Sequence, residues 1–485
     1  MQTETPAAWQ QAWKLAQHAY QRHDFTAVRQ IASEILQEAP ASADAHLLMG
    51  MSYARQRQWS QARPWLQKAG TLHPPIPEAF RALAVACEKL RDDDGAIESL
   101  KRFIRSKPKN RLGCFELGNT YYRLNRYEEA GNCFKAALEI DPRHIPSIIN
   151  LGNCFRRTND LTRAVETYDR ALQLRPYCIP ALVNRSQIHL LQGRWAEGWR
   201  GSEFRKLALK DARYKEPKWR GERIEGKTLL LRAEQGLGDG IQFARYVGKA
   251  RAQSGAGKII LECRPPQVKL FATSQLADEV ISTETAPGPF DYHLLMMSLP
   301  AVLERSCPVI PAETPYLRAP QENELPAGRD LKVGITWAGN VKHLLDSLRS
   351  MKLKDLSELF QLPHITFYAL QTPVPECDRE FLDSLGNVLN LEERLTDYYE
   401  TACFVRQMDV IVSVDTSVAH LAGALGKAVW TLLPFSPDWR WGLEGEQTPW
   451  YPNMRLFRQT EKENWKPVVA RVASELETLR KSRSE

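Results

Sequence analysis

The 485-residue sequence has no run of 18 or more apolar residues, so no segment reads as a membrane span. Its first residues, MQTETPAAWQQAW, lack a basic stretch followed by an apolar one, so no cleaved secretory leader is expected. None of the nine cysteines forms a CxxC pair, which removes zinc knuckles and thioredoxin-like motifs from consideration. An odd cysteine count without a leader fits reduced thiols and a cytoplasmic protein. Excess charge is also missing. A net charge of +7, spread along the chain, suits phosphates or acidic partners and does not call for nucleic acid. What remains is ordinary globular composition, 43% hydrophobic and 25% charged, enough for several cores and about three domains at roughly 150 residues each.

The first half repeats itself every 34 residues. One column collects Gly50, Ala84, Gly118, Gly152 and Ser186. A second collects Ala62, Ala96, Ala130, Ala164 and Gly198. A third holds Pro40, Pro74, Pro108, Pro142 and Pro176, and aromatic residues recur at Tyr53, Tyr121 and Phe155 and at Phe134 and Tyr168. Small residues let antiparallel helices approach, and proline ends the second helix of each pair. A period of 34 with these anchors is the signature of tetratricopeptide repeats. Five full repeats run 9–42, 43–76, 77–110, 111–144 and 145–178, with a partial unit at 179–212. The first is degenerate, with Val28 in the alanine column. Stacked repeats make a groove suited to a protein segment, and repeat arrays can also pair into homo-oligomers through their ends. The run Asp92-Asp93-Asp94 looks like a metal–nucleotide motif, but its register puts it in a turn between helices.

Residues 213–226, polar with Pro and Gly, read as a linker. Short β-rich runs then alternate with helical ones, the grammar of parallel sheets flanked by helices. Strands are expected at 227–233, 258–263 and 290–295. After a Pro-rich boundary at 307–320 they are expected again at 331–338, 364–370, 409–414 and 428–434. Helices are expected at 239–254, 351–361, 396–407, 417–425 and 463–481. The fold class is therefore an α-solenoid over 1–212 followed by two doubly wound α/β domains, 227–325 and 326–485, with a ligand cleft at the carboxyl ends of strands.

Four segments carry candidate chemistry. GLGDG joins a strand to a helix. Gly236 and Gly238 permit a tight turn, and Asp239 is a helix N-cap, a general base, or both. A dinucleotide fingerprint would need glycine where Ile241 stands, although Glu262 ends the next strand where a ribose-binding acid would lie. In VDTSVAHLAGALG, Asp415 follows a buried strand, Thr416 and Ser417 open a helix, and His420 lies one turn on. A helix start with hydroxyls is an anion site. The loop after 338 offers Gly339, Asn340, Lys342, His343, Asp346 and Arg349, a set suited to a diphosphate. The histidines and Asp415 lack metal-ligand spacing, so no metal is expected. Trp439, Trp441, Trp450 and Tyr451, with Asp438 and Arg440, suit either a sugar pocket or a core.

Together, EQGLGDGIQFARY, GITWAGN with His343, Asp346, Arg349 and Ser350, VDTSVAHLAGALGKAVWTLLP and SPDWRW with TPWYP resemble bacterial tetratricopeptide-repeat proteins that carry a heptosyltransferase-like glycosyltransferase domain of the GT-B type. The resemblance covers nearly the whole chain and extends to flagellin glycosyltransferases. It implies a nucleotide sugar as substrate and no separate cofactor. The donor would be held by the second α/β domain through Gly339, Asn340, His343, Arg349, Asp415, Thr416, Ser417 and His420. Asp239 would be the base, Gly236, Gly238, Gln242 and Trp439 would lie near it, and a protein acceptor would dock on the repeats. Val341, Leu345 and Ser347 depart from the family's loop, where proline, asparagine and arginine are expected. A non-catalytic adaptor, or a transferase acting on lipopolysaccharide or another glycan, is the alternative.

Overall fold

A computed structural model describes residues 7–73, 75–209, 213–303, 310–319, 321–325, 328, 330–342 and 346–484. The chain forms two compact units, Met1–Ala181 and Leu182–Glu485.

The first unit is all helical. Its pairs are α1 (Ala7–Gln21) with α2 (Phe25–Glu38), α3 (Ala43–Arg55) with α4 (Trp59–Thr71), α5 (Pro77–Lys89) with α6 (Asp93–Ser106), α7 (Arg111–Arg123) with α8 (Tyr127–Ile140), and α9 (Ile145–Arg157) with α10 (Leu161–Leu174). These are the five repeats in the register the sequence sets. Pro74 lies outside the described residues. The small columns have a steric reason. A Cβ on Gly118 would stand 2.6 Å from the Phe134 ring, and one on Gly152 would stand 2.6 Å from the Tyr168 ring. Ala62, Ala96, Ala130 and Ala164 are fully buried where the second helix of each pair packs. Each turn within a pair holds one residue in the left-handed region: His23, Arg57, Arg91, Asn125 and Asn159, with φ between 58° and 63°. Only Asn125 and Asn159 are residues that favour this region, so His23, Arg57 and Arg91 hide the column from a search for turn residues. Asp92 caps α6, its Oδ1 accepting from Gly95 N–H at 2.9 Å, and its other oxygen pairs with Arg63. The acidic run is a helix cap and its flank.

The second unit starts earlier than the repeat count suggests. Helix α11 (Ile179–Leu191) and α12 (Trp195–Ser202) make a sixth hairpin, and from Leu182 onward the chain groups with the α/β half. Aromatic packing explains this. The Trp199 ring lies edge-on to Phe243 at 6.0 Å and to Trp439 at 5.4 Å, and Trp195 meets Trp450 at 5.9 Å. Helix α13 (Arg205–Leu209) follows.

Residues 213–226 do not hang free as a linker. Trp219, 1% exposed, donates its backbone N–H to His293 O at 3.0 Å, and His293 N–H donates to Pro217 O at 3.1 Å. The segment thereby lies along the sheet edge. Arg213 at 2.9 Å and the Tyr214 hydroxyl at 2.8 Å both bind Glu262, which is 2% exposed. That carboxylate anchors the segment and is not presented to a ribose.

Two parallel sheets follow. The first contains β1 (Thr228–Arg232), β2 (Lys258–Cys263), β3 (Glu279–Ser282) and β4 (Tyr292–Leu295) in the order β3-β2-β1-β4. The second contains β5 (Leu331–Thr336), β6 (Ile365–Ala369), β7 (Val388–Asn390), β8 (Val410–Val414), β9 (Val429–Leu433) and β10 (Met454–Arg458) in the order β10-β9-β8-β5-β6-β7. The second order is that of a doubly wound sheet, with its direction of winding reversing between β5 and β8.

The helix expected at 239–254 is two, α14 (Leu237–Ala244) and α15 (Val247–Ser254). The remaining helices are α16 (Pro265–Thr273), α17 (Leu299–Val302), α18 (Asp346–Arg349), α19 (Arg379–Asp383), α20 (Tyr398–Val405), α21 (Ser417–Ala424) and α22 (Lys466–Ser484). The helix expected over 351–361 is instead two 3₁₀ turns, Leu353–Leu356 and Leu359–Gln361. Leu353, Leu356 and Leu359 are all buried, and their spacing of three suits a helix of three residues per turn.

Candidate functional site

Strand β5 ends at Thr336 and β8 at Val414, and the two are neighbours. The loops leaving them therefore flank the point where the sheet's winding reverses, the usual ligand crevice of such sheets. From the first loop, Arg349 Nη1 donates to Asp415 O in the second at 2.8 Å and Nε meets Asp346 at 3.3 Å. Gly339 N–H donates to Ser350 Oγ at 2.8 Å. A Cβ on Gly339 would stand 2.5 Å from the tips of both the Arg349 and Asp346 side chains, so any larger residue here would displace them. Asn340 is exposed, its side chain accepting from Lys342 N–H at 2.9 Å. His343 and Leu345 lie outside the described residues. Val341 is 80% exposed.

Helix α21 starts without a side-chain cap. Thr416 Oγ1 turns inward to Ser413 Oγ at 3.0 Å, and the Ser417 hydroxyl pairs with Tyr398. Neither hydroxyl caps the first-turn N–H groups, and an uncapped helix start suits an anion. His420 is different from its expected part. It is 4% exposed, with Nδ1 2.9 Å from Tyr451 Oη and its ring stacked on Trp441 at 5.3 Å. Burial, then the cations Arg440, Arg245 and Arg349, hold its pKa well below the usual histidine value. It is a neutral, packed ring and brings no charge to a phosphate.

Against α21 packs α14. Its N-cap is Gly236, and Asp239 is the third helical residue, with Oδ2 accepting from Gly236 N–H at 2.8 Å. Asp239 therefore closes the turn from inside the helix and is not itself the N-cap. Gln235, just before, holds φ 66°, a strained setting for a non-glycine residue. Gly238 lets α14 lie close to α21, since a Cβ there would be 3.0 Å from the His420 ring. Gly423 does the same for Tyr451, at 2.5 Å.

Arg440 ties these parts together. Its Nη2 pairs with Asp239 Oδ1, its Nη1 binds Asp438 at 2.7 Å, and its Nε donates to the Gln242 side chain at 2.6 Å. Burial works against its charge, but Asp438, Asp239 and Asp415 outweigh it and raise its pKa. Burial and the Asp438 carboxylate raise Asp415 to about 6, while Arg349 and Arg440 pull the other way. Below this cluster, Arg245 of the Gly-rich helix's own end donates to Pro311 O at 3.0 Å and Trp450 O at 2.5 Å, fastening the two sheets' loops.

The structure thus brings Asp239, Gln242, Gly339, Arg349, Asp415, Thr416, Ser417 and His420 into one connected region. It removes the tryptophans from a sugar floor. Trp439 is 5% exposed and, like Trp441, Trp450 and Tyr451, is core. Arg440 and Arg245 are the residues the motifs undervalued. The signal for Arg440 in the sequence is its place between two tryptophans and two residues after Asp438.

Tetratricopeptide-repeat models match residues 50–111, 112–144 and 147–176. The N-terminal unit is a tetratricopeptide-repeat solenoid. Over 326 residues the chain is 28% identical to Protein FlbA of Caulobacter vibrioides, covering 60% of this chain and 54% of that one. The chain thus spans about half the length of this curated relative. Solved structures similar to it include MamA at 20% identity, covering 34% of this chain and 89% of that one with a TM-score of 0.32. They also include YrrB, described as a TPR protein with an unusual peptide-binding site, at 21% identity over 34% of this chain and 86% of that one with a TM-score of 0.32. PilF of Pseudomonas aeruginosa is 18% identical over 44% and 86%, with a TM-score of 0.33. Among the described residues no helix is long and apolar enough to cross a membrane.

Proposed function

We propose that the chain is a glycosyltransferase of the GT-B type, moving a sugar from a nucleotide-sugar donor to a hydroxyl of a protein acceptor bound by the repeats, with flagellin-like proteins the acceptor class that the sequence resemblance favours. One observation carries this reading. The Asp239 carboxylate, from the Gly-rich turn of the first sheet, meets Arg440 of the second sheet, in a network that also holds the uncapped start of α21 and Arg349. A base from one sheet and an anion cradle from the other are the two parts an inverting sugar transfer needs.

In this mechanism the donor diphosphate lies at the first turn of α21, against the backbone N–H groups after Thr416 and the Arg349 guanidinium. The acceptor hydroxyl attacks the anomeric carbon as the carbon–oxygen bond to the diphosphate breaks, and its proton passes to Asp239. One displacement inverts the anomeric centre. The tight loop at Gly339 and Ser350 fixes Arg349, so the cation is positioned before the donor arrives. A non-catalytic adaptor is the second reading, supported by Ser347 in α18, where the related loop carries an arginine.

The test is a thermal-shift panel on the full chain with UDP, GDP, ADP, dTDP and CMP. A ligand at 100 times its Kd stabilises by about 2.7 kcal/mol, a shift of several degrees. The expected result is a shift with one nucleotide, lost in Arg349→Ala. No shift at millimolar nucleotide would remove the donor site. A shift without turnover of any sugar donor would favour the adaptor.

A further inference from the structure

The three nitrogens of the Arg440 guanidinium are all engaged, with Asp239, Asp438 and Gln242. Its carbonyl is pinned by Trp450 Nε1 at 2.9 Å and its guanidinium rests on the Trp439 ring at 4.2 Å. Both Asp239 oxygens are engaged too, one by Gly236 N–H and one by Arg440. The charges around the cleft do not suit an anion as they stand. Among the described residues, Asp239 and Asp438 pair with Arg440, Asp346 pairs with Arg349, and Asp415 faces the same two guanidiniums, four carboxylates sharing two paired cations. A diphosphate entering this set needs a cation released from a carboxylate, because opposed charges in a partly buried cluster are weakly screened.

The partner most readily released is Asp239. Asp438 sits two residues from Arg440 and also accepts its backbone N–H at 3.2 Å, so it stays with the arginine through any side-chain movement. Asp239 belongs to the other sheet and keeps a second donor, Gly236 N–H, after letting go.

We propose that Arg440 is a latch for which Asp239 and the donor diphosphate compete, so that donor binding frees Asp239 to serve as the base. This rests on the reading of the cleft as a donor site. Before the donor binds, Arg440 holds Asp239 in an ion pair between the sheets. When diphosphate oxygens take over Nη2, Asp239 Oδ1 turns to the acceptor hydroxyl. The acceptor oxygen then bonds to the anomeric carbon, the electron pair of the broken bond leaves with the diphosphate, and the proton goes to Asp239. Donor binds first, acceptor second. Arg440 is a positioning residue toward Asp239 and a direct contact toward the donor.

The experiment is calorimetric titration of the full chain with UDP, GDP, ADP and dTDP, in wild type, Asp239→Asn, Arg440→Gln and the double variant, each checked for folding by circular dichroism. The latch requires Asp239→Asn to bind the accepted nucleotide at least threefold tighter than wild type, because the competitor is gone. Arg440→Gln should bind about tenfold weaker, and the double variant should match Arg440→Gln. A merely structural ion pair predicts the opposite for Asp239→Asn, since loosening the contact weakens the site. If Asp239→Asn binds no tighter while Arg440→Gln weakens, Arg440 is a fixed ligand and the latch is overturned with the donor site intact. If neither wild type nor Asp239→Asn binds any of the four, the donor reading fails and takes the latch with it. Should Arg440→Gln not fold, Asp239→Asn against wild type alone decides.

Discussion

The two units are built on opposite principles. In the solenoid each helix packs on its neighbours in sequence, and the same contact recurs every 34 residues: Gly118 on Phe134, Gly152 on Tyr168. In the α/β unit the decisive contacts join residues about 200 positions apart, Arg440 with Asp239 and Arg245 with Trp450. A repeated local contact writes itself into the sequence as a period. A single long-range contact leaves no period at all, and its residues look ordinary until the fold brings them together. The sixth hairpin is where the principles meet, repeat-like in sequence yet grouped with the α/β unit through Trp195 and Trp199.

The hairpin gives the largest expected effect. Trp199 is buried among Phe243, Trp439 and Trp450. Trp199→Ala should destabilise the second unit by about 3–5 kcal/mol, the usual cost of emptying a tryptophan site. Two-step denaturant unfolding should show the loss in the α/β transition, with the solenoid transition unmoved. A loss confined to the solenoid transition would return the sixth hairpin to the repeats.

Legibility follows the same division. The helix pairs were readable to within a few residues because Gly, Ala and Pro columns report a backbone approach that only small residues allow. The strands were readable as apolar runs, and every expected strand is present, but β3, β7 and β10 were missed. The first two are strands of four and three residues, and β10, MRLFR, is interrupted by arginines. In the candidate site, Asp239, Asp415 and Thr416 are legible as candidates because each sits just past a strand end or at a helix start, whereas Arg349 closes the short α18 and is legible only through its charge. The hidden part was partnership. Nothing in SPDWRW says that Arg440 spans the cleft to Asp239, and nothing in VDTSVAH says that Tyr451 and Trp441 bury His420 and keep it neutral.

The solenoid's rule can be tested by two glycines in it. At Gly118 a Cβ meets the fully buried Phe134 ring at 2.6 Å, whereas at Gly131 the nearest atom is Leu151 Cδ1 at 3.7 Å, an ordinary contact. Gly118→Ala should therefore cost about 1–3 kcal/mol by overpacking. Gly131→Ala should gain up to about 1 kcal/mol from helix propensity. Equal effects in thermal melts of the solenoid transition would mean that helix propensity, and not close approach, explains the columns.

The smallest effect probes the α/β unit's buried charges through pH. Asp415 is raised to about 6, first by burial and then by Asp438. An aspartate in the unfolded chain titrates near 3.9. Between these values the folded protein keeps a proton that the unfolded chain has lost, so this group's contribution to stability falls as pH rises from about 4 to about 6, then stays level. Asp415→Asn removes that decline. The variant should exceed wild type above pH ~6 by on the order of 1 kcal/mol, and the two should converge toward pH ~4. His420 acts in the reverse sense, its lowered pKa costing stability as acid forces a proton on it, but it is common to both proteins and cancels in the comparison. Melting curves of the second unit at a series of pH values measure the difference directly. A variant less stable than wild type at neutral pH would mean that Arg349 and Arg440 need the Asp415 charge more than burial penalises it, and that the cleft's carboxylates are structural counterions before they are anything else.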